Sequence, residues 1–467
     1  MMLASCVYIL QCGTRFAPSL SWLRPNARAE VYTAMAKTPF HMGWFVMKGY
    51  GPKGWRSQWG GPNLHSWVKP DNLVHLAREL ERAAFDYVMI EDSNNVPYTY
   101  KNSHETYLRL GLDSPKLDPS VVAPIMLRET RQIGVITTLS TTEYNPFLLA
   151  RLTNALDHIS DGRAGWNLVT GSNDGGAQNF GYEKQFPHDQ RYEMADEFVE
   201  VVQKLWDSWE ADAMIIDPER EIFADPEKVH PVFHEGKYFR SRGPLSAPRS
   251  PQGHPVICQA GGSPRGRTFA ARWAETIIAS ASSVDQMKEF RDDIRRQAAG
   301  FGRNPDHIKL MFLIAPIIAE TMEAARAREQ ERLAEAERNI EFYLANMSRV
   351  TGIDFSKFPL DEKLPELTSN GHQSSAKGFS GRTPREIVMQ GRALRDADLV
   401  GTPDYVAAQM AEVMDAVGGD GFLIMDPDHT RRYITEIADG LTPALQKLGV
   451  VRKKYEFAML RDNLRAF

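Results

Sequence analysis

The feature that most constrains this chain is a repeated unit. A short apolar run ends in a polar loop and is followed by an amphipathic helix, recurring at roughly 30–40-residue intervals. The apolar runs do not alternate in polarity. His41 to Met47, Tyr87-Val-Met-Ile90, Ile133 to Leu139, Pro255 to Gln259, Glu275 to Ala279, Ile308 to Ile318 and Gly421-Phe-Leu-Ile-Met425 are apolar at most positions. Such runs suit strands buried on both faces, and those occur in parallel sheets whose crossovers are helices. With the run inside 160–170 there are about eight such units. The expectation is an α/β chain folded as one (β/α)8 TIM barrel with insertions rather than as two domains.

Helix signals fall where that barrel needs them. Asp71 is read as the cap of a helix with Leu73, Leu76, Ala77, Leu80 and Ala84 on one face. Asp118-Pro119, Pro146 and Thr402-Pro403 open others as caps or first-turn prolines. A long charged helix is predicted from Thr321 to about Met347, its 325–338 charge run forming a solvated face, and a last one from Arg431 to Leu448. Insertions fall near 49–67, 93–117, 212–250 and 348–400. The last, with Gly371-His-Gln-Ser-Ser-Ala-Lys-Gly378, reads as a long excursion or flexible lid. Residues 35–467 are taken as the barrel domain. Residues 1–34 are set apart as a leader or disordered arm, or as the result of a start codon placed too far upstream, since Met35-Ala-Lys-Thr-Pro-Phe reads as a fresh start.

Charge and composition exclude several classes. A net charge of −5 over 467 residues, with basic and acidic residues interspersed, argues against nucleic-acid and membrane-surface binding. No apolar run approaches the ~18–20 residues that span a bilayer, so a cytoplasmic protein is expected. Cys6, Cys12 and Cys258 lack metal spacing, and Cys258 reads as a reduced, buried thiol. His158, His188, His230 and His234 lack matching carboxylates, so no metal is expected. No Gly-x-Ser-x-Gly elbow is present.

In a barrel, ligand chemistry belongs at the carboxyl ends of the strands. Those ends carry Glu91-Asp92, Thr138 to Thr142, Asn167 to Asn173, Gln259 to Ser263, and Asp426. Two of these loops read as phosphate cradles. One is the small-polar loop 171–178, which leads to His188, Arg191 and Tyr192 at a helix entry. The other is Gln259-Ala-Gly-Gly-Ser-Pro-Arg-Gly266, where Ser263 opens the next helix. Helix N-termini favour anions, because their unpaired N–H groups and dipole both do. Either loop alone is equally well a surface turn with a cap; together they favour a phosphorylated cofactor. Asp92 either accepts from a ring N–H or ties down a loop. Trp44, Trp55, Trp59 and Trp67 are read as a pocket wall or as packing, and Trp166 as core or barrel lining.

Several linked motifs also look familiar. Ser160-Asp-Gly-Arg-Ala-Gly-Trp-Asn-Leu-Val-Thr170, Asn179-Phe-Gly181 and His188-Asp-Gln-Arg-Tyr192 with Ala195-Asp-Glu197 form one set. Arg242-Gly-Pro244, Pro248-Arg-Ser-Pro-Gln-Gly253 and Pro255-Val-Ile-Cys-Gln-Ala-Gly261 form another. From about Phe40 to Leu464 the chain resembles the nitrilotriacetate/EDTA/dibenzothiophene-sulfone monooxygenases, a branch of the bacterial-luciferase-like flavin enzymes. The resemblance implies a luciferase-type barrel, FMN used as FMNH2, and O2 as co-substrate. It implies oxygen insertion into a small organic substrate, with cleavage of C–N or C–S bonds in known relatives. It also implies a homo-oligomer (dimer or tetramer) and a separate NAD(P)H:flavin reductase, since the chain shows no dinucleotide fingerprint. By position, Asp92 and Thr138 would flank the isoalloxazine with Thr170 on the next strand end, while His188, Tyr192 and Ser263 would hold the FMN phosphate. No catalytic acid or base is assigned.

The long-chain alkane monooxygenase relative has a cysteine after its first strand. Val46-Met-Lys-Gly49 has none here, so thiol-assisted alkane hydroxylation is not implied. The pocket-shaping loops at 49–67, 93–117 and 348–400 resemble the family least, and substrate identity does not transfer. The alternatives are a deazaflavin-dependent oxidoreductase and a flavin-binding or flavin-degrading protein of the same fold.

Overall fold

Eight parallel strands close on themselves in the computed structural model, which describes residues 38–46, 69–390, 394, 396–425 and 430–467. The arm at 1–34, the loop at 49–67 with its three tryptophans, and Asp426 lie outside the described residues. The strands are β1 (His41–Val46), β2 (Tyr87–Ile90), β3 (Gly134–Ser140), β4 (Ala164–Val169), β5 (Val256–Gln259), β6 (Thr276–Ala279), β7 (Lys309–Ile314) and β8 (Gly421–Met425). Each pairs with its neighbour in the chain, and β8 closes on β1 with His41 opposite Gly421 and Phe45 opposite Met425. This is the expected α/β TIM barrel.

The packing shows why the strands read as unbroken apolar runs. Tyr87, Met89, Ile136, Cys258, Met311 and Leu423 fill the barrel interior. Their neighbours Trp44, Val88, Ile90, Val135, Phe312 and Phe422 face the helix ring. The side-chain period of two thus alternates between two dry environments. Leu460 and Leu464, from a short terminal helix, join the interior cluster. Beside Leu460, a Cβ at Gly134 would lie 2.6 Å from its side chain. Below, the buried Asp86 carboxylate accepts from Met42 N–H at 2.9 Å and Arg452 Nη2 at 2.7 Å, and pairs with His41 Nδ1 at 3.0 Å.

The helix ring comprises α1 (Asp71–Arg82), α2 (Pro119–Arg128), α3 (Pro146–Ile159), α4 (His188–Trp206), α5 (Pro264–Trp273), α6 (Val284–Gly300), α7 (Pro403–Val417) and a broken α8 between Arg431 and Leu448. Asp118 and Thr402 cap as expected, accepting from Ser120 N–H and Tyr405 N–H. Asp71 does not: it is the first helical residue, and the N-cap position is Pro70. Three other boundaries differ. The run Ile308 to Ile318 leaves the barrel after Ile314, because Pro316 has no N–H for a ladder, and Ile317–Ile318 pair instead with Val400–Gly401. The charged helix stops at Asn339, whose φ of −112° separates Met322–Arg338 from Ile340–Thr351. In α8, Arg431–Thr435 and Thr442–Leu448 flank a π-helical turn at Glu436–Leu441, just ahead of Pro443, which cannot donate back into an α-helical ladder.

The insertions are built, not loose. Residues 212–250 hold two antiparallel hairpins, Met214–Asp217 with Ile222–Ala224 and His234–Glu235 with Arg240–Ser241. Segments from 93–117 and 340–389 share an apolar core of their own, which includes Tyr100, Tyr107, Leu110, Phe342, Phe355 and Leu364. The stretch expected as a flexible lid therefore carries the helices Gln373–Phe379 and Pro384–Met389 and forms a packed cap. Trp44 and Trp166 both belong to the barrel–helix layer: Trp44 lies beside Phe85 and Tyr433, and Trp166 beside Phe198 and Trp206. Neither is a pocket wall. Among the described residues no helix is long and apolar enough to cross a membrane.

Candidate active site

A cavity of about 590 Å³ opens at the carboxyl ends of the strands and is walled in part by the cap. Its best-defined corner lies where two helices begin. Strand β5 ends at Gln259, whose Oε1 accepts from Gly261 N–H at 2.7 Å. Ser263 then caps α5, its Oγ accepting from Gly266 N–H at 3.1 Å. A Cβ at Gly266 would lie 2.8 Å from Tyr192 Oη and 3.0 Å from Gly261 Cα, so glycine here lets the first turn of α5 close on α4.

His188 opens α4. Its Nε2 lies 3.2 Å from Ser263 Oγ, and its Nδ1 lies 2.6 Å from Asp189 Oδ1. Tyr192, one turn on, meets the His188 ring edge-on at 5.1 Å. Burial raises the Tyr192 phenol above its ordinary value, so it stays an O–H donor. Two helix N-termini, a hydroxyl, a phenol and an imidazole thus converge on one anion-sized corner.

The other predicted cradle works differently. Asn173 Oδ1 accepts from Gly176 N–H at 2.7 Å and caps a short helix, Asp174–Asn179. The expected open loop at 171–178 is therefore in part a capped turn, its Gly176 and Ala177 N–H groups both bonded to Asn173, while Gly171, Ser172 and Asn173 still line the cavity. Arg191 also departs from expectation. Its Nη1 donates to Phe186 O at 2.6 Å and its Nη2 to Asn370 O at 2.7 Å, so it clasps the cap rather than pointing at the anion corner.

At the strand ends β2 to β4 the cavity wall is polar. Burial pushes the Asp92 carboxyl up to about 7, against the opposing pull of Lys116. Thr138 Oγ1 donates to Ile90 O at 2.6 Å and accepts from Asn167 Nδ2 at 2.8 Å. That leaves Asn167 Oδ1 buried and without a partner. Thr170 O accepts from Thr142 Oγ1 at 3.4 Å. All six positions singled out from the sequence, Asp92, Thr138, Thr170, His188, Tyr192 and Ser263, line this one cavity.

Sequence reasoning missed what the cap contributes. Lys116 Nζ donates to Glu91 Oε2 at 2.6 Å and pairs with Asp113 at 2.9 Å, while Arg349 reaches Asp113 at 3.3 Å. Glu143, raised above its ordinary value by burial, accepts from Asn94. His372 stands in the cavity wall, its imidazole pushed down to about 4 by burial first and Arg349 second. The only local sign was a polar cluster in a glycine-containing stretch, which any surface loop shares.

A closed parallel barrel with a polar, capped cavity at its strand ends, one corner of which lies between two helix N-termini, defines a TIM-barrel protein with its candidate site where barrels carry their chemistry. The chain belongs to the luciferase-like monooxygenase family, whose model matches residues 42–421. It is 38% identical over 423 residues to N-acetyl-S-(2-succino)cysteine monooxygenase of Bacillus subtilis (strain 168), covering 86% of this chain and 93% of that one. It is 36% identical to dibenzothiophene-sulfone monooxygenase of Rhodococcus erythropolis (84% and 88% covered) and 33% identical to nitrilotriacetate monooxygenase component A of Aminobacter aminovorans (90% and 94% covered). The solved structure of a riboflavin lyase with modified FMN and riboflavin superposes with a TM-score of 0.82 at 33% identity, covering 92% of this chain and 96% of that one.

Proposed function

We propose that this monooxygenase binds reduced FMN, delivered by a separate NAD(P)H:flavin reductase, and uses it with O2 to insert one oxygen atom into a small organic substrate. The observation that carries the reading is the corner formed by His188, Tyr192 and Ser263 at two helix N-termini, opening into a cavity that also holds Asp92, Thr138 and Thr170. The residues fit the cofactor. A phosphate suits the corner's donors, and the unpartnered Asn167 Oδ1 is an acceptor that a flavin ring N–H would satisfy. The cavity's size falls within the roughly 300–1,000 Å³ usual for cofactor sites.

When bound, reduced FMN supplies the electrons and activates O2. The chain's own part is positional. His188, Tyr192 and Ser263 hold the phosphate, and Thr138 and Asn167 fix the ring edge. Asp92, protonated below about pH 7, offers a hydrogen bond there. The cap keeps bulk water off the reacting atoms. The relative named component A supports a two-component system with a reductase partner, and the relatives' named substrates support a small organic molecule carrying sulfur or nitrogen.

Anaerobic titration with FMNH2 tests this. The wild type should bind, and His188→Ala should weaken binding about tenfold, the scale of one charge-assisted hydrogen bond, without loss of fold by circular dichroism. Failure of the wild type to bind FMNH2, or to consume O2 when a flavin reductase supplies it, would sink the proposal.

A further inference from the structure

Arg191, Arg265 and Arg267 stand around the corner built by His188, Tyr192 and Ser263, and the first two are committed elsewhere. Arg191 donates to Phe186 O and Asn370 O at 2.6 and 2.7 Å. Arg265 pairs with Asp196, which also accepts from Trp273 Nε1 at 2.6 Å. Arg267 is held only loosely. It lies on α5 one turn past the Ser263 cap, and its Nε reaches back to Gly262 O at 3.3 Å. Its Nη1 lies 3.4 Å from Asp293 Oδ2. That carboxylate is already shared, since it also accepts from Arg296 Nη2 and, at 3.1 Å, from Gln297 Nε2. Arg267 Nη2 has no partner among the described residues, and the side chain lines the cavity. The Phe290 ring carries the guanidinium, with its centroid 4.1 Å away.

Long helical side chains lean toward the N-terminus, and here that puts a cation at the positive pole of α5. The dipole and the unpaired N–H groups of a first turn make this a poor place for a positive charge and a good one for an anion. Contacts at 3.3 and 3.4 Å offset little of that, because charge-assisted bonds of this kind run about 2.7–2.9 Å. A guanidinium parked on an aromatic ring at such a spot is poised for an anion arriving from the cavity. The cap reaches the same turn: a Cβ at Gly262 would lie 3.2 Å from Ser374 Oγ. An ion pair formed under that cover is screened less than one in open water.

We propose that Arg267 is the counter-ion of the ligand's phosphate, and the residue that makes the cavity take a phosphorylated flavin in preference to riboflavin. The hydroxyl, phenol and imidazole of the corner can hydrogen-bond a neutral ribityl hydroxyl as well as a phosphate. A fixed positive charge separates the two. On binding, Arg267 exchanges its two long contacts for charge-assisted bonds to phosphate oxygens. This deepens the FMN reading and rests on it.

The test titrates full-length protein anaerobically with reduced FMN and with reduced riboflavin, at low and at high salt. The wild type should bind reduced FMN at least about tenfold more tightly than reduced riboflavin. Arg267→Met keeps an aliphatic stem against Phe290 and removes the charge. It should weaken reduced FMN about tenfold, leave reduced riboflavin within about twofold, and flatten the salt dependence. Arg267→Lys, which restores a charge without the planar fork, should recover part of the loss, and for FMN alone. Arg267→Gln carries the same test if circular dichroism shows that the Met variant misfolds. Unchanged FMN affinity in the neutral variants would overturn the role and leave Arg267 as packing on Phe290. Equal losses for the two flavins would overturn it too, since a lost counter-ion should spare the ligand without phosphate. Failure of the wild type to bind reduced FMN would strike the cofactor reading, and the proposal with it. The wild-type titration therefore reports on the reading, and the variants' FMN-to-riboflavin ratio reports on Arg267.

Discussion

At the scale of single residues, the cavity holds acids away from their ordinary ionisation. Asp92 sits just past β2, buried enough that its carboxyl keeps a proton to about pH 7 despite Lys116. An unfolded aspartate loses that proton near pH 4, so the folded chain binds the extra proton between about pH 4 and 7. Stability should accordingly fall as pH rises through that window and level off above it. Asp92→Asn, which cannot ionise, should lose roughly 1–2 kcal/mol less than wild type between pH 5 and pH 8, measured by urea unfolding. Equal losses in the two proteins would mean that Asp92 titrates normally. Asp92 was legible as a candidate because it follows an apolar strand. Its perturbed ionisation was not, because burial is contributed by atoms distant in the chain.

At the scale of elements, the junction between α4 and the cap decides how the cavity is closed. Arg191 is fully buried, and its described hydrogen bonds run to Phe186 and to Asn370. Arg191→Ala should release segment 369–375 while the barrel persists. Limited proteolysis should then cut near residue 370 at least about tenfold faster, with little change in far-ultraviolet circular dichroism. An unchanged cleavage rate would show that the cap holds by its apolar core alone. Helix starts such as Ser263 and Thr402 were readable, since capping is settled within a few neighbouring residues. The direction of Arg191 was not. One turn from His188 it looked like an anion ligand, and only the approach of Asn370, 179 residues later, gives its guanidinium other acceptors.

At the scale of the whole molecule, the barrel's lower end is tied by Asp86, whose carboxylate joins Met42, His41 and Arg452. His41 and Arg452 hold that carboxyl below its ordinary value, overcoming the burial that opposes them. Asp86→Ala would leave a buried guanidinium uncompensated and should cost about 3–5 kcal/mol, seen as a lower urea midpoint. A loss under about 1 kcal/mol would show that the pair is dispensable to the fold. The residues alone determined the count of strand–helix units, the parallel sheet, most helix starts and the strand ends where a site had to lie. Those follow from the local polarity pattern and from capping, which act over a few residues. Only the tertiary structure decided that loop 171–178 turns into a short capped helix, that Arg191 clasps the cap, and that His372 comes to line the cavity. Each depends on groups brought together from far along the chain, and neither periodicity nor spacing records which distant atoms will satisfy a donor.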